Sequence, residues 1–144
     1  MLKLSKKVEY ALIAMMHMDA KRNGDLTTAR EISEDYHIPG ELLGKVLQSL
    51  AKVPLIQSVQ GSKGGYRLMR ELEKITLGEV VQAVEGPVQI AACQGDPSCC
   101  EQFPNCNIRK PVIQVQQQLL GYMFGLPLST FRSSSDLKKA VGVK

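Results

Sequence analysis

The sequence predicts a mainly α-helical fold carrying one small β-hairpin. Three observations predict it. Three helical segments, two of them with an apolar stripe at helical spacing, fill residues 4–52. A Gly-rich turn between two short strand-like runs follows at once, over residues 55–70. A further long helical pattern begins after residue 106. At 144 residues and 44% hydrophobic, the chain can bury one compact core and carry an appendage.

The first helix is expected in "LSKKVEYALIAMMHMDA", where Leu4, Val8, Ala11, Leu12, Met15 and Met18 recur at helical spacing. "RNGD" breaks it. The second is "TAREISEDYH", opened by Thr28 and Glu31, whose spacing is that of a capping box. "IPG" is a turn. The third is "ELLGKVLQSLAK", with Leu43, Val46, Leu47 and Leu50 on one face. Glu41, Lys45, Gln48 and Lys52 lie on the opposite face, a short polar stripe able to bond base edges and phosphates. Pro54 ends this helix. "LIQSVQGSKGGYRLMR" then reads as a hairpin with Ser62 and Lys63 at its tip and Arg67 and Arg70 nearby. Three helices followed by a basic-tipped hairpin is the order of a winged helix-turn-helix. In that module the third helix enters the major groove and the wing reaches backbone or minor groove.

A fourth helix, "ITLGEVVQAVEG", repeats the capping box with Thr76 and Glu79 and turns Leu77, Val80, Val81 and Val84 to the core. In the last helix, "NIRKPVIQVQQQLLGYMFG", Pro111 is tolerated only in the first turn. Ile108, Val112, Val115, Leu119 and Met123 form a narrow seam there. Such a seam serves a two-helix interface, and a homodimer reading two DNA half-sites is expected; packing onto its own domain is the alternative. "LPLSTFRSSSDLKKAVGVK" is a short terminal helix at most, followed by a mobile Ser-rich tail. The expected organisation is residues 1–86 as the DNA-binding unit, 87–106 as a cysteine-rich loop, and 107–144 as dimerisation helix and tail.

Charge agrees with this division. Residues 1–70 carry 11 Lys/Arg against 7 Asp/Glu, a net +4, while residues 71–144 carry 7 against 7. The excess in the first half suits an anionic partner such as double-stranded DNA. No run approaches the ~20 apolar residues of a membrane span, and "MLKLSKKVEY" lacks a signal-peptide apolar stretch. A cytoplasmic protein without membrane association is expected.

All four cysteines fall in "CQGDPSCCEQFPNC", residues 93–106. In a reducing compartment, clustered thiols point to metal or redox chemistry more than to disulfides. The spacings Cys93-x5-Cys99 and Cys100-x5-Cys106 are looser than the paired C-x2-C knuckles of structural zinc. They suit a larger object, an iron–sulfur cluster, with zinc and thiol redox as alternatives. An enzyme is not expected: there is no C-x-x-C motif, and His17 and His37 are the only histidines.

Together, "LSKKVEYAL", "REISEDYHIPGELLGKVLQSL", "LIQSVQGSKGGYRL", "ITLGEVVQAVEG" and the cysteine loop resemble the iron–sulfur-cluster regulator family of winged-helix transcription factors across nearly the whole chain. That family includes the regulator of cluster biogenesis, a nitric-oxide-sensing repressor and iron-responsive regulators. The resemblance implies three cluster thiolates: Cys93, Cys99 and Cys106, with Cys100 the alternative for the middle one. Some relatives take a His three residues beyond the last cysteine as fourth ligand, but Arg109 stands there. Others carry an acidic residue in the first helix, and Glu9 occupies that place; His37 is a weaker candidate, better suited to a turn. The DNA-contact positions implied are Thr28, Gly40, Glu41, Lys45 and Gln48 around the recognition helix, and Gln60, Ser62, Lys63 and Tyr66 in the wing. Gln60 replaces an Arg found in several relatives. The implied function is a dimeric repressor whose operator binding is controlled by the cluster, a 2Fe–2S or 4Fe–4S species sensing iron, redox or nitric oxide status. The alternative is the same regulator using its cysteines as zinc ligands or redox-active thiols.

Overall fold

The computed structural model describes residues 2–21, 24–94 and 96–132. Helix α1 spans Lys6–Ala20, α2 Ala29–Tyr36, α3 Gly40–Lys52, α4 Leu77–Glu85 and α5 Arg109–Gly125. Strands β1 (Ile56–Val59) and β2 (Gly65–Leu68) form an antiparallel hairpin in which Ile56 faces Leu68 and Val59 faces Gly65. Both the mainly helical class and the hairpin agree with the sequence expectation.

The core is built from the predicted stripes. In α1, Val8, Ala11, Ala14, Met15 and Met18 are buried. Leu12 is only half-buried, and Leu4 precedes the helix and is exposed. Ser5 caps α1 by accepting a hydrogen bond from the Val8 N–H, and its hydroxyl also bonds Glu85 at the end of α4. In α3, Leu43, Val46, Leu47 and Leu50 are all buried. They meet α1 and α4, while Ile32 from α2 closes the other side. Burying such aliphatic side chains contributes about 1.5–3 kcal/mol each.

The two capping boxes differ. At α4 both halves form: Thr76 Oγ1 accepts from the Glu79 N–H, and the Glu79 carboxylate accepts from the Thr76 N–H at 2.8 Å. At α2 only half forms. Thr28 Oγ1 accepts from the Glu31 N–H at 3.1 Å, but the Glu31 carboxylate turns away to Lys21 Nζ at 2.7 Å. A charge-assisted bond to an ammonium is stronger than one to a neutral amide, so the ion pair wins.

The hairpin is anchored to the helical body. Thr27 bridges Tyr66 through two backbone hydrogen bonds, at 2.9 and 2.7 Å. Its tight turn depends on Gly64, where a Cβ would meet the Val59 carbonyl oxygen at 2.1 Å. Arg67 and Arg70 are both engaged: Arg67 donates to Gln57 across the hairpin, and Arg70 donates to Glu79 and to the Lys74 carbonyl.

Helix α5 packs back on α4. The Phe124 ring lies where a Cβ on Gly78 would stand, 2.5 Å away. Beyond α5 the chain clasps the start of α4. The Leu77 N–H donates to the Leu126 carbonyl and the Leu128 N–H to the Ile75 carbonyl, with Leu128 fully buried. Residues Leu128–Phe131 form a short 3-10 turn. Arg132 then pairs with Asp19 of α1 and with Glu73. The Ser-rich stretch expected from residue 133 onward lies outside the described residues. No described helix is long and apolar enough to cross a membrane.

Candidate nucleic-acid interface and cysteine cavity

Helices α2 and α3 are joined by a short turn. His37 takes a left-handed backbone there (φ 54°), and its N–H caps the Ser33 carbonyl. His37 is therefore a helix C-cap, as the turn reading expected. Gly40 opens α3, and Glu41, Lys45 and Gln48 stand exposed on its outer face, with Lys45 and Glu41 4.0 Å apart. Thr28 caps α2 and is exposed at the same end of that helix. In the wing, Ser62 and Lys63 are exposed at the tip. Gln60 donates to Ser58 Oγ at 3.0 Å, and Tyr66 is half-buried, its backbone committed to Thr27. Among the described residues Lys63 has no ion pair. The polar face of α3 and a protruding cationic tip thus stand ready for a polyanion, with little to break first.

The second feature is the loop between α4 and α5. Three single 3-10 turns, Ala92–Gln94, Pro97–Cys99 and Phe103–Asn105, fold it over the start of α5. Gln116 of α5 ties its beginning by accepting from the Ile90 N–H at 3.0 Å. Asp96 caps the middle turn, accepting from the Ser98 N–H at 3.0 Å and hydroxyl at 2.6 Å. Those bonds, with a smaller one from Cys99, hold the Asp96 carboxyl below its usual range.

All four cysteines line one cavity of about 490 Å³, together with Arg109 and Val112 of α5. All four are free thiols. Cys99 is exposed and donates to Asp96 at 3.3 Å; Cys93, Cys100 and Cys106 are partly buried. No three of the sulfurs lie within 4.8 Å of one another among the described residues. Four thiolates on one tetrahedral zinc would stand roughly 3.8 Å apart, given Zn–S bonds of about 2.3 Å. The described sulfurs therefore stand wider apart than the ligands of a single bound zinc. Arg109 is fixed beside it, its guanidinium 4.4 Å from the Phe103 ring centroid and its Nη1 donating to the Phe103 carbonyl. It brings a positive charge next to the thiols. Glu9 does not line this cavity; it pairs with Lys6 at 3.0 Å on α1. Sequence reasoning grouped the thiols but missed the roles of Arg109 and Gln116, which depend on how α5 docks.

A three-helix body, an exposed third helix and a backbone-anchored hairpin define a winged helix-turn-helix DNA-binding protein. Comparison with known proteins sharpens this. The sequence profile of the Rrf2 family, described as iron-dependent transcriptional regulators, matches residues 4–131, so the chain belongs to that family and is a DNA-binding transcriptional regulator. It is 28% identical over 148 residues to the HTH-type transcriptional regulator NsrR of Bacillus subtilis, covering 99% of each chain. The NsrR of Bacillus licheniformis is 28% identical over 109 residues, covering 75% of this chain and 76% of that one. Among solved structures, CymR, the global cysteine regulator of B. subtilis, superposes with a TM-score of 0.68 at 24% identity, covering 94% of this chain and 99% of that one. T. potens IscR gives 0.65 at 22% identity, covering 96% and 90%. At these identities the two superpositions establish the fold.

Proposed function

We propose that this regulator is a homodimeric repressor whose operator binding is controlled by an iron–sulfur cluster held in the cysteine cavity. The observation that carries the reading is the convergence of Cys93, Cys99, Cys100 and Cys106 on one cavity, with no three of their sulfurs within 4.8 Å of one another among the described residues. Cys93, Cys106 and one of Cys99 and Cys100 would be the thiolate ligands. Glu9, which does not line the cavity of its own chain, would supply the fourth ligand from the second subunit. When bound, such a cluster supplies iron that oxidants and nitric oxide attack.

The chain's own residues do the rest. Arg109 offsets thiolate charge and links the loop to the first turn of α5. Along the predicted seam, Ile108 at the N-cap of α5 (59% exposed), Val115 (47%) and Leu119 (37%) are open to a second copy, whereas Val112 lines the cysteine cavity and Met123 packs on the core. In this reading residues 107–144 are the dimerisation helix and tail, residues 1–86 the DNA reader and 87–106 the sensor between them. Thr28, Gly40, Glu41, Lys45 and Gln48 face the major groove, and Gln60, Ser62, Lys63 and Tyr66 serve the wing. A loop that changes shape at the root of α5 resets the spacing of the two recognition helices and shifts the dimer between binding and non-binding populations. The working compartment is the cytoplasm, where the thiols stay reduced.

Thiol sensing without a cluster is the second reading. The solvent exposure of Cys99 and the Arg109 guanidinium at the cavity favour it. The deciding experiment is an anaerobic absorption spectrum of freshly purified full-length protein, with iron and acid-labile sulfide counted per chain. Visible absorption with matching iron and sulfide supports the cluster. A colourless protein with four titratable thiols supports the second reading.

A further inference from the structure

Away from both sites, α1 and α2 bring together His17, Glu31 and Asp35. The ligand atoms of all three lie within 4.8 Å of one another. His17 is mostly enclosed, with a side chain 13% exposed. Its Nδ1 is hydrogen-bonded to the Tyr36 hydroxyl at 2.8 Å, and the two rings meet edge to face at 5.4 Å. Among the described residues its Nε2 is buried without a hydrogen-bond partner, and it points at Glu31 Oε1, 3.7 Å away. That distance is too long for a hydrogen bond.

An imidazole with one nitrogen oriented by a hydroxyl and the other bare toward carboxylates has the arrangement of a metal-ligating histidine. Glu31 and Asp35 sit four residues apart, on one face of α2. The present cation there is Lys21, whose Nζ bonds Glu31 Oε1 at 2.7 Å. Its pKa is raised, chiefly by that bond, with the charges of Asp25 and Asp35 adding to it. The pair is about one-third exposed, so little stability is lost when Lys21 swings out.

The geometry points to a binding site for a first-row divalent cation, zinc foremost, with His17 Nε2, Glu31 and Asp35 as ligands and Lys21 as the displaceable internal competitor. One nitrogen and two carboxylate oxygens at about 2.0–2.2 Å suit such an ion and leave a position for water. Ligands on one tetrahedral ion stand roughly 3.4 Å apart, so the group must contract modestly. The exposed Asp35 side chain has room to do so. Once closed, the site would clamp the last turn of α1 to α2, the first helix of the helix-turn-helix.

The test is a cobalt(II) titration of the full-length protein with its four thiols carbamidomethylated, so that the cysteine loop cannot compete. One cobalt per chain is expected. His17→Gln and Asp35→Asn should each weaken binding at least tenfold, and Lys21→Met should tighten it at least threefold. Asp35→Asn is a surface change that leaves the fold intact, so a loss of binding there reports on ligation. No saturable binding, or an affinity unmoved by either ligand substitution, overturns the assignment. A Lys21→Met affinity that is unchanged or weaker contradicts the displacement.

Discussion

Lys63 stands exposed at the tip of the hairpin beside Ser62, and among the described residues its charge has no ion-pair partner. Lys63→Ala is expected to weaken binding to all duplex sequences alike and to lower the salt slope of the binding constant by roughly one unit. An affinity titration at several salt concentrations checks this; an unchanged slope removes Lys63 from the phosphate contacts. Glu79 works inside the fold. Burial pushes its pKa up, but bonds from the Thr76 N–H and from Arg70 outweigh that and leave it lowered. A lowered carboxylate stabilises the fold above its unfolded pKa, and that contribution fades as pH falls through the folded pKa. Glu79→Ala should therefore cost about 1–2 kcal/mol at neutral pH, a deficit that shrinks below pH ~4. Denaturant melts at both pH values measure it. His37 holds a left-handed backbone that glycine adopts more freely. His37→Gly should raise stability by about 0.5–1 kcal/mol. At this scale the sequence was readable where one helix turn decides the outcome, as at Thr76–Glu79. It misled at Thr28–Glu31, because Lys21 arrives from another element to take the carboxylate.

At the scale of elements, the stripe of α3 predicted its buried face residue for residue, since amphipathic spacing encodes burial directly. The seat of α5 was not legible. It depends on Gly78 receiving the Phe124 ring and on the Leu126–Leu128 clasp, contacts between segments about 50 residues apart. Gly78→Ala should drive Phe124 from its seat, loosening α5 from α4 at a cost of about 1–3 kcal/mol. Leu128→Ala should cost about 2–4 kcal/mol by opening a cavity beneath the clasp. Both should blunt the proposed response of DNA affinity to the state of the cysteine loop, because this contact and clasp tie α5 to α4. Thermal melts alongside affinity measurements separate the two effects. The clustering of the cysteines in sequence marked the loop as a candidate site, yet the cavity they line owes as much to Arg109 and Val112 of α5.

For the whole molecule, a basic first half, a neutral second half and a helix α5 that packs on α4 along one side and leaves Val115 and Leu119 exposed are what the proposed switchable dimer rests on. The charge asymmetry is visible in the sequence, whereas the docking of α5 on α4 is a property of packing. The most direct test is an anaerobic titration of one duplex operator, selected from a random-sequence library with the freshly purified protein. It compares the iron- and sulfide-loaded dimer with the same preparation stripped of both. The account predicts that operator affinity changes at least tenfold between the two. Equal affinities, with both preparations folded and dimeric, would contradict control by the cysteine cavity.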